Sequence, residues 1–296
     1  MNHPWSILAA LLSISLGVAA GADAQSSPRP GQRVVLVTGS TGGLGQEVAR
    51  RLASGGAHVI VHGRNRERGM ALVREIEQEG RGSARFYAAD FASFDQVREL
   101  AEAILQDYDR LDVLVNNAGF GSAPDERLVS EDGLEYRFQV NYLSPYLLTR
   151  RLLPRLLATA PSRIVNVSSL AQTPIDFDDV MIERGFSGGR AYAQSKLAQV
   201  MFTFDLAEEL AGKGVMVSSL HPATYMPTGM VARAGVAPRA TIDEGADAVM
   251  QLIESDEIEG GQFFRGLRPA RANDQAYDRE ARARLRALSD ELTGLR

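Results

Sequence analysis

Residues 34–52 pass without interruption from an apolar, β-branched run through a glycine-rich turn into an amphipathic segment. The run Val34-Val35-Leu36-Val37 predicts a buried parallel strand. The glycines that follow it are Gly39, Gly42, Gly43 and Gly45. Such a turn lets a diphosphate approach the backbone, and the next helix would direct its N-terminal amides at that anion. The order of strand, turn and helix therefore predicts a nucleotide-binding βα unit.

The rest of the chain repeats this alternation of apolar runs and helical patterns. Strand candidates lie at residues 33–38, 58–62, 85–89, 111–116, 163–168, 215–221 and 261–264. Strands separated by helices are typical of an α/β fold with a doubly wound parallel sheet and helices on both faces. A content of 45% hydrophobic and only 7% aromatic residues suits one domain with an aliphatic core.

The composition excludes several classes of function. A net charge of −5 and a pI near 5.5, without a long basic run, argue against a nucleic-acid partner. Because the sequence contains no cysteine, it predicts no disulfide, thiol nucleophile or thiolate metal site. The four histidines form no metal-binding motif, so no metal is predicted; they are His3, His58, His62 and His221.

The first 24 residues differ from everything after them. Residues 6–22 are apolar, and Ala22-Asp23-Ala24 offers a pattern that signal peptidase cleaves, although no Lys or Arg precedes the apolar stretch. A cleaved signal would place the protein outside the cytoplasm or in a periplasm, and an uncleaved segment would associate it with a membrane. A misassigned start would leave it cytoplasmic. We assign residues 1–24 to this leader, 25–32 to a linker and 33–296 to the folded domain.

Tyr192 and Lys196 stand four residues apart in a predicted helix, and therefore on one face of it. A phenol ordinarily titrates near pH 10, and a nearby ammonium group favours the phenolate and lowers its pKa. Tyr192 is therefore a candidate acid/base. The same spacing also occurs on ordinary solvated helices, which is the alternative interpretation.

These segments together resemble the short-chain dehydrogenase/reductase family. The resemblance rests on Thr38-Gly39 with the glycine turn, on Asn116-Asn117-Ala118-Gly119 and on the Tyr192–Lys196 pair, and it extends from residue 33 to 295. It implies a Rossmann-type fold and hydride transfer between a nicotinamide and an alcohol or carbonyl. The catalytic residues implied by the resemblance are Asn141, Ser169, Tyr192 and Lys196.

The resemblance also gives each catalytic side chain a role. Ser169, rather than its neighbour Ser168, would hydrogen-bond the substrate oxygen, and Tyr192 would exchange a proton with it. Lys196 would hold the ribose and lower the tyrosine pKa. Asn141 precedes Pro145 in a helix, where a local irregularity would let a water molecule bridge to Lys196; a polar residue bonded to backbone is the alternative.

The cofactor is expected to be NADP(H), with NAD(H) as the other possibility. No acidic residue ends the second strand to accept a ribose 2′-hydroxyl, and Arg64 stands there to pair with a 2′-phosphate, unless it is only a solvated loop residue. Asn117 either contacts the cofactor or braces the sheet. The predicted cofactor contacts are Thr38, Gly39, Gly43, Leu44, Gly45, Arg64, Asp90, Asn117, Ala118, Gly119, Tyr192, Lys196, Pro222 and Thr224.

Two departures from the common family pattern refine this interpretation. The separation of Ser169 and Tyr192 is long, 192 − 169 = 23 positions, which resembles the retinol-dehydrogenase-like branch and implies apolar alcohols or carbonyls. Ala223 replaces a glycine that is usual beside the nicotinamide.

Residues 225–232, with Met226 and Met230, are typical of a flexible substrate lid, or of plain core packing.

The leading hypothesis is an NADP(H)-dependent carbonyl reductase or alcohol dehydrogenase that acts on a small, apolar molecule. A nucleotide-binding scaffold or redox sensor with little turnover is the alternative, which Ala223 and the leader favour. Residues 134–157 and 192–210 are too apolar for isolated surface helices. By resemblance, these helices would form the interface of a homodimer or homotetramer.

Overall fold

The computed structural model describes residues 26–295, which form a single α/β domain of the Rossmann type. Its eight-stranded sheet has the order β3-β2-β1-β4-β5-β6-β7-β8, parallel throughout except for the last pair. The strands are β1 (Val34–Val37), β2 (His58–Gly63), β3 (Ser83–Ala88), β4 (Val113–Asn116), β5 (Ser162–Val167), β6 (Val215–His221), β7 (Gln262–Arg265) and β8 (Arg268–Ala270).

Helices cover both faces of the sheet and bury a separate apolar core on each. One core contains residues of α1, α2 and α8, and the other contains residues of α3, α5, α6 and α9. The helices are α1 (Gly43–Ser54), α2 (Arg66–Glu79), α3 (Phe94–Asp107), α4 (Tyr136–Phe138), α5 (Ser144–Thr159), α6 (Gly188–Glu209), α7 (Gly229–Arg233), α8 (Ile242–Glu254) and α9 (Arg279–Thr293). A π-helical turn spans Gln139–Leu143, and a 3₁₀ turn spans Asp274–Tyr277.

The seven predicted strands are confirmed to within two residues at each end. The short strand β8 was not predicted. Its Pro269 lacks a backbone N–H, and its first two residues are exposed, so it carries no alternation of apolar and polar residues. It forms because Gly266, at a φ of +57°, reverses the chain and lets β8 pair with the edge strand β7.

The strand order reverses between β1 and β4. From β1 the chain builds outward through β2 to β3, and then returns to place β4 on the other side of β1. At such a switch point the loops after two neighbouring strands diverge, and a crevice opens at the carboxyl end of the sheet. The topology therefore positions the glycine turn after β1 opposite the Asn116–Gly119 segment after β4.

The segment immediately before β1 is attached to the domain. Gln32 donates to the Gly56 carbonyl at 2.7 Å, and Arg29 donates to the Gly82 carbonyl at 3.1 Å. Residues 26–32 are therefore docked rather than a free linker. The predicted signal or anchor, residues 1–24, lies outside the described residues. Within residues 26–295, no helix is long and apolar enough to cross a membrane.

The apolar surfaces of α5 and α6 are covered within one chain. Ala276 of the 3₁₀ turn is fully buried in the same core as α6, and Leu285 of α9 is 1% exposed in that core. The hydroxyl groups of Tyr142 and Ser289 lie 2.7 Å apart, and Tyr146 donates to Asp290 at 2.6 Å. Helix α9 thus covers apolar residues that suggested a subunit interface. The homodimer or homotetramer stays a prediction.

Candidate active site

A cavity of about 710 Å³ opens at the carboxyl end of the sheet, between the loops that follow β1 to β6. Most of the predicted site residues line it although they lie far apart in sequence. They are Gly39, Gly43, Leu44, Gly45, Arg64, Asp90, Asn117, Ala118, Gly119, Ser169, Tyr192, Lys196, Pro222 and Thr224. Thr38 and Asn141 lie behind the wall of the cavity.

The glycine turn is built for close packing and for an anion. A methyl group at Gly45 would lie 2.6 Å from the Gly39 carbonyl oxygen and still closer to the Asn117 amide nitrogen. Gly42, the N-cap of α1, has no side chain to accept hydrogen bonds from the first-turn amides, and that turn contains no acidic residue. These amides are therefore available to a phosphate group, which satisfies them and interacts favourably with the helix dipole.

Thr38 supports this turn instead of contacting a ligand, which corrects the prediction of a cofactor contact. It is fully buried, and its hydroxyl group donates to the Val115 carbonyl at 3.2 Å. The same oxygen accepts hydrogen bonds from the backbone of Asn117 and Ala118 at 2.9 and 3.0 Å. Asn117 in turn donates to the Thr38 carbonyl at 2.8 Å. Thr38 and Asn117 thus join the loops after β1 and β4, so the bracing role expected for Asn117 is present.

One corner of the cavity is lined by two arginines, Arg64 and Arg68, and is called here the cationic corner. Arg64 lies 3.2 Å from the Asp90 carboxylate and donates to the Tyr136 hydroxyl at 3.1 Å, while its side chain remains 60% exposed. Arg68, in the first turn of α2, also lines the cavity and was not predicted from the sequence. No sequence pattern singled it out, because Arg64 precedes the N-cap Asn65 and so has no helical spacing to Arg68.

Ser169 and Tyr192 meet at the centre of the cavity wall. The partial burial of Tyr192 raises its pKa above the usual value, and a hydrogen bond from Ser169 lowers it. The expected net lowering of this pKa by Lys196 is therefore wrong. Ser168 donates to the Lys196 backbone carbonyl at 2.7 Å, so it anchors α6 and leaves Ser169 to face the tyrosine.

Lys196 is almost completely buried behind Tyr192. Its ammonium group donates to the Val167 carbonyl and to the Gln199 side-chain oxygen, both at 2.9 Å. Burial lowers the pKa of Lys196 to about 7, because removing a cation from water disfavours its charged form. Gln199, which is 2% exposed, was not recognised in the sequence, since nothing local distinguishes it from other polar residues of α6.

Asn141 lies in the π-helical turn, which confirms the expected irregularity before Pro145. Its side chain donates to the Phe120 carbonyl at 3.0 Å and to Ser195 at 2.8 Å, and accepts from the Phe120 amide. A methyl group at Gly119 would lie 3.3 Å from the Asn141 oxygen and 3.5 Å from the Lys196 nitrogen. Both polar groups therefore border the small space beside Gly119, where a bridging water molecule stays a prediction.

The substrate side of the cavity is mainly apolar. Phe120, Leu170, Tyr225, Met226 and Met230 line it. The first two were missed, because each is an isolated hydrophobic residue in a loop. All of residues 225–232 except Pro227 and Ala232 line the cavity, but opening and closing of this segment as a lid stays a prediction.

The methionines of this segment combine both roles that were considered. Met226 lines the cavity and also packs against the core that contains α1 and α8. Met230 lines the cavity, and a methyl group at Gly121 would lie 2.6 Å from its Cγ. Across residues 26–295 there is no group of three potential metal ligands among His, Cys, Asp and Glu.

A doubly wound sheet with a glycine turn and an uncapped helix at its switch point is the architecture of a dinucleotide-binding protein. The model of the family described as short chain dehydrogenase matches residues 33–237. Retinol dehydrogenase 13 of Mus musculus is 36% identical over 298 residues, which cover 94% of this chain and 88% of that protein. The chain therefore belongs to the short-chain dehydrogenase/reductase family, in its retinol-dehydrogenase-like branch.

Two further relatives extend the comparison. Polyprenol dehydrogenase of Danio rerio is 34% identical over 290 residues, covering 91% of this chain and 89% of that protein. The structure of the Pseudomonas aeruginosa RhlG/NADP active-site complex superposes with a TM-score of 0.65 at 28% identity, covering 79% of this chain and 94% of the other. Family membership makes this protein a nicotinamide-dependent oxidoreductase of the alcohol dehydrogenase type.

Proposed function

We propose that this protein transfers hydride between NADP(H) and the alcohol or carbonyl group of an apolar substrate, with Tyr192 as the acid/base. The observation that carries the proposal is the meeting of Ser169, Tyr192 and Lys196 at one cavity wall. A binding protein would have no need of a phenol, a serine hydroxyl and a buried amine grouped at one cavity wall.

In the direction of reduction, Ser169 hydrogen-bonds the substrate carbonyl oxygen and so fixes its position beside the phenol. Tyr192 then donates its proton to that oxygen, and a raised pKa keeps the phenol protonated for this step. When bound, the nicotinamide supplies the hydride. Lys196 provides a positive charge behind the phenol, which favours the phenolate that the proton transfer leaves. A water molecule in the space beside Gly119, next to Asn141, would then return a proton to Tyr192 by way of Lys196.

The proposed preference for NADP(H) rests on the cationic corner. Arg64 and Arg68 both line the cavity, and the described loop after β2 has no carboxylate of its own to accept a ribose 2′-hydroxyl. Asp90 pairs with Arg64, so a 2′-phosphate would compete with this carboxylate for the guanidinium group. A phosphate accepts two parallel hydrogen bonds from arginine and carries the greater charge, which favours the exchange.

The proposed apolar substrate follows from the lining of the opposite side. Phe120, Leu170 and Met230 offer hydrophobic surface, and Met230 can adapt to irregular shapes. The names of the relatives indicate the same class, since retinol and polyprenol are apolar alcohols. Retinoids, steroids and lipid aldehydes are therefore the first candidates.

A screen of the full-length chain tests the proposal. NADPH oxidation is followed by absorbance with aliphatic, aromatic, retinoid and steroid carbonyls, and NADP reduction is followed with the matching alcohols. We expect turnover with apolar members, at least a hundredfold above that of Tyr192→Phe. Tight NADPH binding without turnover of any member would instead support the nucleotide-binding scaffold, an alternative that Ala223 in the cavity wall favours.

A further inference from the structure

Gln199 is a buried polar residue that no step of the proposed mechanism uses. It follows Lys196 by three residues on α6, so the two side chains lie on the same face of the helix. Its oxygen accepts a hydrogen bond from the Lys196 ammonium group at 2.9 Å, while its amide nitrogen is buried and has no protein partner. A buried amide with an unused donor is costly, which indicates that its oxygen has a purpose at this position.

Lys196 has few other partners that could stabilise its charge. Three N–H groups are available on an ammonium, and the Val167 carbonyl and Gln199 accept two of them. No ion pair to Lys196 occurs within residues 26–295. Asn141 borders the same space beside Gly119, and Ser168 donates to the Lys196 backbone carbonyl, but neither side chain carries a negative charge.

The titratable groups around the same cavity are also accounted for. On α6 the nearest is Tyr192, whose ring centroid lies 5.8 Å from the Lys196 nitrogen. The others are Arg64, Arg68, Asp90 and Tyr136 beside the loop after β2, His221 at the end of β6, and Tyr225 and Arg233 on the segment that follows it. None of these makes a described hydrogen bond or ion pair with Lys196, so Gln199 is its one side-chain acceptor among the described contacts.

We propose that Gln199 is a positioning residue for Lys196, whose carboxamide oxygen keeps the amine charged and aimed so that its third N–H reaches the cofactor ribose. The inference rests on the proposed function, because it concerns the lysine of that reaction. A hydrogen bond to a cation stabilises the charged form and offsets part of the cost of burial. Without this acceptor the amine would lose its proton at a lower pH and hold the ribose less well.

The sequence makes a direct measurement practical, because Lys196 and Lys213 are its only lysines. In protein labelled with ¹³C-lysine, we expect separate side-chain signals for the buried Lys196 and the exposed Lys213, so that Lys213 serves as the internal reference. Gln199→Met removes the acceptor and retains the length of the side chain. Gln194→Met is the matched control, since Gln194 lies on the same helix, is 1% exposed and bonds to Val180 instead.

Titration by NMR should show a Lys196 pKa about one unit lower in Gln199→Met than in the wild type, the size expected for one lost hydrogen bond to a charged group. Gln194→Met should leave it unchanged. Gln199→Glu, which offers a carboxylate at the same position, should raise the pKa and provides the test if Gln199→Met does not fold. Equal Lys196 titration curves in the wild type and in the folded Gln199 variants would overturn the proposal.

Kinetics provides the second readout. In NADPH-dependent reduction, activity should fall at high pH as Lys196 loses its proton, and Gln199→Met should move this limb to lower pH by about one unit. NADPH affinity should fall severalfold at neutral pH, with recovery at lower pH. A purely structural role would lower thermal stability without moving this limb. Absence of turnover in the wild type would defeat the proposed function, whereas the NMR titration would still decide the effect of Gln199.

Discussion

The ammonium nitrogen of Lys196 lies 5.8 Å from the centroid of the Tyr192 ring, on the same face of α6. A cation at this distance is attracted to the electron-rich face of the ring, so the two side chains form a contact and are not merely neighbours in sequence. Ser169, which follows the end of β5, lies beside the same phenol. The helix therefore presents a phenol and an amine to one cavity, with the serine supplied by a separate element.

Replacement of Tyr192 by Phe should lower kcat by a factor of about 10² to 10⁴, because it removes the proton donor and retains the ring. The dissociation constant for NADPH, measured by fluorescence titration, should change by less than about threefold. Tyr277→Phe is the control, since Tyr277 is a partly exposed tyrosine remote from the cavity. Activity of Tyr192→Phe within a few-fold of wild type would mean that the chemistry is wrongly assigned.

Replacement of Arg64 by Asp should weaken NADPH binding about tenfold or more and leave NADH binding nearly unchanged. The change removes a cation from beside the 2′-phosphate and adds a carboxylate, and its effect is moderated by the exposure of the site. Fluorescence titration with both cofactors measures it. Arg66→Asp is the control, because Arg66 is exposed but does not line the cavity. Equal losses for NADPH and NADH would show that Arg64 does not read the 2′-phosphate.

The glycine at position 45 should be required for folding of the turn. In Gly45→Ala, the added methyl group would press on the Gly39 carbonyl and on Asn117. We expect the free energy of unfolding to fall by about 1–3 kcal/mol, with reduced cofactor affinity. Gly42→Ala should change the unfolding free energy by less than about 0.5 kcal/mol, because its methyl group would meet nothing within 4 Å. Similar stabilities in urea for the two variants would contradict this prediction.

The buried His58 should make the fold sensitive to acid. Burial lowers its pKa to about 4 from an ordinary 6.5, so the unfolded chain binds a proton more readily than the folded protein. With respect to this group, the folded protein has its full stability above pH 6.5 and loses stability as the pH falls toward 4. At pH 5 the loss in the free energy of unfolding is about 2 kcal/mol. Urea denaturation at several pH values should show a shallower decline for His58→Gln. A decline as steep as that of the wild type would assign the effect to other groups.

The leader yields a prediction about the mature chain. If it is a cleaved signal, the exported protein should begin at Gln25, which keeps the docked residues 26–32. N-terminal sequencing of protein from fractionated native cells is the measurement. An intact Met1 in the membrane fraction would indicate an anchor. A cytoplasmic chain that begins downstream of Met1 would exclude both export and anchoring.

The sequence by itself determined the features that depend on short stretches of chain. The strands, the glycine turn and the pairing of Tyr192 with Lys196 were predicted, because hydrophobic period, glycine sterics and helix geometry act over a few residues. The choice of Ser169 over Ser168 came from sequence resemblance and stays a prediction; Ser168 is engaged with the Lys196 backbone carbonyl, and both serines line the cavity.

Only the tertiary structure decided the features that depend on which distant residues are packed together. It showed that Thr38 braces two loops, that Arg64 is paired with Asp90, and that α9 covers the apolar helices. It also reversed the expected direction of the Tyr192 pKa shift. The physical reason is that burial and long-range hydrogen bonds set these properties, and both depend on contacts between residues that only the folded chain brings together.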